Sequence, residues 1–293
     1  MKKRIKLNEK QLKRIIEKGV KTTLKKLTLL NEFGIDVNRD TRSVRYTDEH
    51  QKNLDTSLEN NPTETIENIY GFDVHKYSIF QRKRSEERGI GDGNPALYAL
   101  KGEKGWVLEN EDEFMEQFIK VLDKFIETIN PTHIIVPIPS TNELNAKIVS
   151  ILRNRLDDII ICRPLRKITT TEVWDRCDDG KAFFDQYWRS KGEDLNEKYR
   201  ELSDILEVLD KTNDGIFSYH YVSDMEMRKS IINTLIAVPE EYMKYNNNIN
   251  GGDILLIDDS ITRGQSIRDA IYAIKQLYEP KTISVLTMFS DLK

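Results

Sequence analysis

Asp253-Ile254-Leu255-Leu256-Ile257-Asp258-Asp259-Ser260-Ile261-Thr262-Arg263-Gly264-Gln265-Ser266-Ile267 runs four aliphatic residues into two carboxylates and then into a short polar turn. From Arg268 to Leu277 apolar residues recur at helical spacing, so the stretch reads as strand, loop and helix. A strand buried on both faces shows an unbroken aliphatic run, which makes Ile254 to Ile257 a central parallel strand. Ligands of open parallel sheets bind just beyond the carboxyl ends of the strands, where Asp258 and Asp259 stand. Paired carboxylates at such a place accept hydrogen bonds from a sugar diol and help to hold magnesium, directly or through water. Gly264 permits a tight turn, and the amides of Arg263 to Ser266 at a helix start form a phosphate cradle. Thr262 and Ser266 add hydroxyl donors, and Arg263 adds a positive charge. Diol, metal and phosphate together describe a ribose 5-phosphate that carries a pyrophosphate. Two acids after an aliphatic run, taken alone, would mark only the end of a strand; the loop and the helix that follow give the pair its meaning.

The same residues resemble the phosphoribosyl pyrophosphate (PRPP) binding motif of the type I phosphoribosyltransferases: four apolar residues, two acids, and a phosphate loop rich in Thr, Gly and Ser. The variant Ile257-Asp258-Asp259-Ser260-Ile261-Thr262-Arg263-Gly264 is most similar to that of the glutamine PRPP amidotransferases. The order of elements before it is more similar to the competence protein F group of that superfamily. The motif covers about fifteen residues, and the wider pattern reaches from about Tyr77 to the C-terminus. The resemblance implies an α/β fold, an open parallel sheet with flanking helices. It implies Asp258 and Asp259 as the catalytic pair on the ribose hydroxyls, and Thr262, Arg263, Gly264, Gln265 and Ser266 as the 5-phosphate loop. Magnesium is the implied cofactor, bound mainly through PRPP, with no metal site built by the protein alone.

A chain of 293 residues with 38% apolar content has room for one large or two modest domains with a real core. The N-terminus has no apolar run of the signal-peptide kind, and no stretch approaches the roughly eighteen apolar residues of a membrane span. Two cysteines, Cys162 and Cys177, in a chain of this length argue for a reducing, cytoplasmic compartment. Residues 1–30 hold eleven Lys or Arg against Glu9 and Glu17, so with a net charge of −4 the remainder carries about −13. An acidic body argues against nucleic acid lying across the main domain.

Along the chain, Leu7, Leu12, Ile15, Ile16, Val20, Leu24 and Leu27 with lysines between them predict a basic amphipathic helix capped by Asn8. Such a helix docks on the body or on a twin subunit, with a nucleic acid or membrane surface as the alternative. Residues 31–68 are poor in aliphatics and read as a polar linker. The expected division is therefore an arm over 1–68 and a body over 69–293 that folds without it. Tyr77 to Phe80 and Ala96 to Leu100 read as short strands, and Arg82 to Arg84 as a solvated charge run. The glycine cluster Gly89 to Pro95 reads as a turn, because its spacing fails the GxGxxG test and no helix is expected after it.

Glu111 to Ile129 is a clear amphipathic helix stopped by Pro131. His133 to Pro139 is a buried strand, followed by a loop and a helix through Leu156. The resemblance places pyrophosphate on that loop, with Ser140, Thr141 and Asn142 as donors; where many relatives carry Lys or Arg, this chain has Asn142 and Glu143. Ile159 to Arg163 is a third strand. It leads to a segment that the superfamily uses as a mobile loop, with Arg166, Lys167 and Arg176 as the nearest charges for the leaving pyrophosphate. An aromatic-rich insertion over about 174–221 either packs on the body or forms a hood that stacks on a flat acceptor. Tyr245 to Gly252 reads as an Asn/Gly loop, and Thr282 to Met288 as the last strand.

The expected activity is a magnesium-dependent phosphoribosyltransferase that moves ribose 5-phosphate from PRPP to a small nitrogen nucleophile, a base or an amine, with release of pyrophosphate. Thr262 stands where the oxopurine-specific members carry an acid, which disfavours hypoxanthine or guanine as acceptor. A non-catalytic PRPP sensor that uses the basic arm for a partner is the alternative of another class. A pyrophosphate-transferring synthetase, whose family has a similar motif, lacks support from a nucleotide loop.

Overall fold

The computed structural model describes residues 33–83, 94–140, 142–175, 178–261 and 264–290. The basic N-terminal helix, Thr141, Arg176, Thr262 and Arg263 lie outside these residues, as does the glycine cluster as far as Gly93. By proximity along and between its segments the chain forms two compact units. One comprises the residues up to Thr63, Ser78–Thr128 and the end of the chain from Phe289; the other comprises Glu64–Tyr77 and Ile129–Met288. This division differs from a cut at residue 68.

The first unit contains β1 (Gly34–Asn38), β2 (Ser43–Thr47) and β3 (Leu54–Asp55). β1 and β2 are an antiparallel hairpin, and β2 pairs in parallel with β6 (Val107–Leu108). β3 pairs with the end of β5 (Phe72–Arg82), Leu54 opposite Arg82. α1 (Asn94–Leu100) and α2 (Glu111–Ile129) complete it. Glu111, Asp112 and Glu113 stand in the first turn of α2, where the helix dipole favours negative charge. The core is made by Ile35, Val44, Leu54, Ile79, Phe80, Phe114, Phe118, Val121, Leu122 and Phe125, all without exposed surface. Phe80 meets the Phe114 and Phe118 rings edge-on at centroid distances of 5.2 and 6.1 Å, a geometry that the ring quadrupoles favour.

Three expectations are corrected here. Residues 33–69 are strand-rich rather than a linker. Ile35, Val44, Leu54 and Ile69 go inward, and polar residues satisfy one another: buried Asp55 accepts from the Ser57 hydroxyl at 2.7 Å and from Asn60 at 2.8 Å. Ala96 to Leu100 is helix, not strand, and so a helix does follow the glycine cluster; Asn94 and Pro95 open it, and proline is at home in a first turn. Arg82 is buried rather than solvated, with its side chain donating to the Ser290 carbonyl and to Asn94 Oδ1. An arginine hidden in this way must have its donors met, and a local charge count does not reveal that.

The second unit holds the central sheet, in the order β5-β12-β11-β7-β8, with β4 (Thr63–Ile69) also pairing with β5. Here β7 is Ile134–Pro137, β8 Ile160–Ile161, β11 Asp253–Ser260 and β12 Thr282–Phe289. β7 runs parallel to both β11 and β8, with Ile254 to Ile257 opposite Ile134 to Pro137. β11 is thus central and parallel, as its aliphatic run predicts, and the sheet with its flanking helices is α/β. α3 (Leu144–Arg153) packs on β7 and β11. α9 (Gln265–Leu277) turns Ile267, Ala270, Ile271, Ala273 and Ile274 into the core that holds Ile254, Leu256 and Val285.

A two-stranded ribbon, β9 (Leu165–Lys167) with β10 (Leu235–Ala237), carries the chain into and out of the insertion. The insertion is helical, through α4 (Glu172–Asp175), α5 (Asp178–Lys191), α6 (Leu195–Thr212) and α7 (Met225–Ser230). Asp194 caps α6, its carboxylate accepting from the Asn196 amide at 2.9 Å. α8 (Tyr242–Ile249) replaces the expected Asn/Gly loop. Tyr245 and Ile249 are one helical turn apart and both buried in the core, and that packing outweighs the poor helix propensity of three asparagines. No helix among the described residues is long and apolar enough to cross a membrane.

Because residues 33–63 supply strands and core to the first unit, deletion of 1–68 is expected to leave that unit without a cooperative thermal transition, measured by near-ultraviolet circular dichroism. Asp55 gives a second test. Burial raises its carboxyl, but hydrogen bonds from Ser57 and Asn60 and the charge of Lys83 outweigh burial and hold it below the ordinary value. A carboxyl depressed in the folded state contributes stability that is present above its unfolded value and lost as pH falls through the folded one. Melting temperature is therefore expected to drop below about pH 4 in the native chain. Asp55→Asn is expected to melt lower at neutral pH and to lose less on acidification.

Candidate functional site

Parallel pairing continues past the end of β7, where the Ile138 amide donates to the Ile257 carbonyl at 2.9 Å. Asp258 and Asp259 thus stand level with Ile138 and Pro139, and the loop over residues 140–143 opens beside them. β11 runs on through both acids to Ser260, so they belong to the strand's own end. Asp259 is buried and Asp258 half-buried.

Two asparagines reach these acids. Asn142 Nδ2 donates to Asp259 Oδ2, and Asn145 Nδ2 to Asp258 Oδ1, each at 3.4 Å. Both are longer than the roughly 2.7–3.2 Å of a strong N–H···O bond, so they orient the carboxylates more than they neutralise them. Within the strand the Asp259 amide donates to Asp258 Oδ1 at 3.0 Å, and the Ser260 hydroxyl donates to Asp259 Oδ1 at 2.8 Å. Asn145 also donates to the Ile138 carbonyl at 2.9 Å, which ties α3 to the end of β7. Its Oδ1 is buried with no hydrogen-bond partner among the described residues. In the 140–143 loop the Asn142 amide faces Ser140 Oγ at 3.3 Å, and Asn142 Oδ1 accepts from the Leu144 amide at 3.0 Å. Asn142 therefore shapes the start of α3 as well as reaching Asp259.

Gly264 caps α9 in the left-handed region at φ 70°, and a Cβ built there meets nothing within 4 Å among the described residues. The constraint at this turn is thus backbone conformation, not space. Ser266 lies in the first turn of α9, near the amides that a phosphate would meet. Gln265 turns inward: its Nε2 donates to Asp269 Oδ1 at 2.7 Å. That leaves Gln265 its backbone amide, and not its side chain, for an anion.

Of the cations expected near pyrophosphate, Arg166 and Lys167 lie in the strand ribbon and Arg176 lies outside the described residues. Arg166 lies in β9 opposite Ile236, and its guanidinium is forked onto Glu172 at 2.7 and 2.6 Å. Those hydrogen bonds raise its already high pKa further. Arg166 is thus held in a bidentate ion pair within a strand ribbon, and Lys167 lies in the same ribbon opposite Leu235. The aromatics of the insertion mostly pack together: Phe184, Trp188 and Phe217 are buried in one cluster with Leu202, Leu206, Leu209, Val222, Met227 and Ile231, and Tyr187, Tyr199 and Tyr219 pack against it. That favours packing over a stacking hood. Cys162 is buried, which pushes its thiol up to about 11 and makes it a poor nucleophile.

A comparison of the sequence with protein-family models finds none that matches, and a comparison with curated proteins likewise finds no match. The reading of this site therefore rests on its own residues.

Asn145 and Asp269 carry the geometry yet were not among the residues singled out from sequence. The signal for Asp269 was present: an acid four residues before buried Ala273, on the apolar side of an amphipathic helix. Asn145 had no such signal, since an asparagine in a helix's first turn is unremarkable.

Gly264 offers a test that separates strain from crowding. Gly264→Val is expected to cost about 1–2 kcal/mol of stability from the left-handed backbone alone, and Gly264→Asn distinctly less, because asparagine tolerates that region. Equal losses in denaturant titration would mean that the turn does not require its positive φ.

Proposed function

We propose that the protein is a magnesium-dependent phosphoribosyltransferase that uses PRPP as donor and a nitrogen nucleophile as acceptor. The observation that carries this reading is the arrangement at the end of β11. Two adjacent carboxylates, each oriented by one asparagine, stand beside the loop after the neighbouring parallel strand, and a left-handed glycine then opens a helix. In this reading Asp258 and Asp259 accept from the ribose hydroxyls, and the amides from Gly264 to Ser266, with Thr262 and Arg263 before them, bind the 5-phosphate. Ser140, Thr141 and Asn142 are in this reading the donors to the pyrophosphate.

The reaction breaks the C1–oxygen bond to pyrophosphate and forms a C1–nitrogen bond, while the acceptor loses a proton. The work of the chain is positioning and charge stabilisation: it holds the sugar by its diol and its 5-phosphate while positive charge grows at C1. The donor set suits magnesium, since two oxygen-bearing acids are about what this ion takes from a protein when it keeps water and phosphate oxygens as its other ligands. When bound, magnesium neutralises the charge that gathers on the leaving pyrophosphate.

A second reading, a PRPP sensor without catalysis, draws support from one observation. Arg166 is committed to Glu172, and Asn142 and Glu143 occupy loop positions where relatives carry cations, so among these residues no cation is free to hold a departing pyrophosphate.

Melting temperature separates the two. For the enzyme, PRPP is expected to stabilise much more with magnesium than with a chelator, ribose 5-phosphate is expected to show little metal dependence, and pyrophosphate is expected to appear with one of a pool of bases and amines. Asp259→Asn is expected to lose about 1.5–3 kcal/mol of PRPP affinity, the scale of a charged hydrogen bond, by calorimetry. Equal stabilisation by the two ligands with no pyrophosphate released favours the sensor. Unchanged binding in both Asp258→Asn and Asp259→Asn would sink both readings.

A further inference from the structure

Asp269 is fully buried in the second turn of α9 and is the convergence point of three segments. Its Oδ1 accepts from Gln265 Nε2 at 2.7 Å and from the Asn233 amide at 3.1 Å. Its Oδ2 accepts from the Thr234 amide at 2.9 Å and the Thr234 hydroxyl at 2.6 Å. The Tyr219 hydroxyl, with a single proton, stands between Asp269 Oδ2 at 3.1 Å and the Ile231 carbonyl at 2.8 Å. Asn233 is left-handed at φ 59°, a region that asparagine tolerates, and the carboxylate accepts from the amides of the turn made there.

A carboxylate is a costly way to fill this space. Removal from water opposes its charge, and an apolar residue of similar size is often as stabilising as a buried, fully bonded ion. What an apolar residue cannot supply is direction. The four complete donors and the shared fifth admit one placement of α9 relative to the 231–234 turn and to Tyr219, where the helical insertion ends. Gln265, the residue directly after the left-handed Gly264, is one of those donors. The carboxylate therefore fixes the first turn of α9, whose amides are the phosphate cradle in the function proposed above.

We infer that Asp269 is a positioning residue for the 5-phosphate site. It sets the orientation of the Gly264 to Ser266 amides from inside the fold, through Gln265 and through the 231–234 turn, without touching ligand. This inference rests on the 5-phosphate reading of that loop, and the experiment below distinguishes failure of the one from failure of the other.

The test uses the full chain, with calorimetric titration of ribose 5-phosphate and amide hydrogen exchange at Gln265 to Arg268. Asp269→Asn keeps the shape but presents an amide to donors that need an acceptor. It is expected to weaken ribose 5-phosphate binding by roughly tenfold or more, about the worth of one charge-assisted hydrogen bond, in protein that remains folded at the assay temperature. Exchange of the Gln265 to Arg268 amides is expected to quicken. Should that variant not fold, Gln265→Met and Tyr219→Phe each remove one contact while keeping size. Gln265→Met is then expected to weaken binding severalfold with little change in melting temperature. Variants that melt lower but bind ribose 5-phosphate as the native chain does would overturn the positioning role and leave Asp269 a structural residue. If the native chain binds neither ribose 5-phosphate nor PRPP, the 5-phosphate reading fails, and the exchange rates alone decide: quickened in Asp269→Asn they uphold the anchoring of α9, and unchanged they overturn it.

Discussion

Burial of β11 on both faces is the constraint on which the second unit depends. A strand between β12 and β7 has its backbone groups committed to two neighbours and its side chains committed to two packed layers. Ile254 to Ile257 satisfy that demand with aliphatics and no exposed surface to speak of. At Asp258 the demand changes, because a carboxylate cannot enter such a layer without partners. The strand can carry its acids only where donors meet them, and Asn142 and Asn145, at the start of the helix that packs on β7 and β11, are placed to do so. Core and candidate site are in this sense one arrangement: the helix that covers the strand, with the loop before it, also supplies the amides that orient its terminal acids.

The same logic recurs across the chain. Asp55, Arg82 and Asp269 are all buried and hydrogen-bonded: Asp55 within its own loop, Arg82 to Ser290 and Asp269 to Thr234 across longer stretches of chain. A buried ionisable group with several partners favours one arrangement of those partners over neighbouring ones, since a shifted arrangement leaves a group unpaired at a cost of about 1–3 kcal/mol. Such groups therefore act as registers for the segments around them. Asp269 does this for the beginning of α9.

Elements with strong periodicity were legible from sequence. The helix over Glu111 to Ile129 and the strands at Ile134 to Pro137, Asp253 to Ser260 and Thr282 to Phe289 follow from apolar spacing, as does the helix after Gly264. Where periodicity was weak, the reading failed in a consistent direction. Residues 33–63 and 242–249 are polar in composition yet structured, because a few inward residues, Ile35, Val44 and Leu54 in the one and Tyr245 and Ile249 in the other, suffice when the surrounding polar groups bond to each other. The short segment Ala96 to Leu100 has too few residues to distinguish a strand period from a helical one.

The sequence by itself determined the order and identity of the chemistry-bearing residues at the end of β11: two acids, a hydroxyl-rich loop and a glycine before a helix. These are near neighbours in the chain, and local backbone geometry already brings them close. Tertiary structure alone decided which side chains turn toward that site and which turn away. It brought Asn145 to Asp258 across more than a hundred residues, and it brought Thr234 and Tyr219 to Asp269. The physical reason is that a hydrogen bond between distant segments depends on how helices and strands pack, and no local periodicity encodes the partner of a buried polar group.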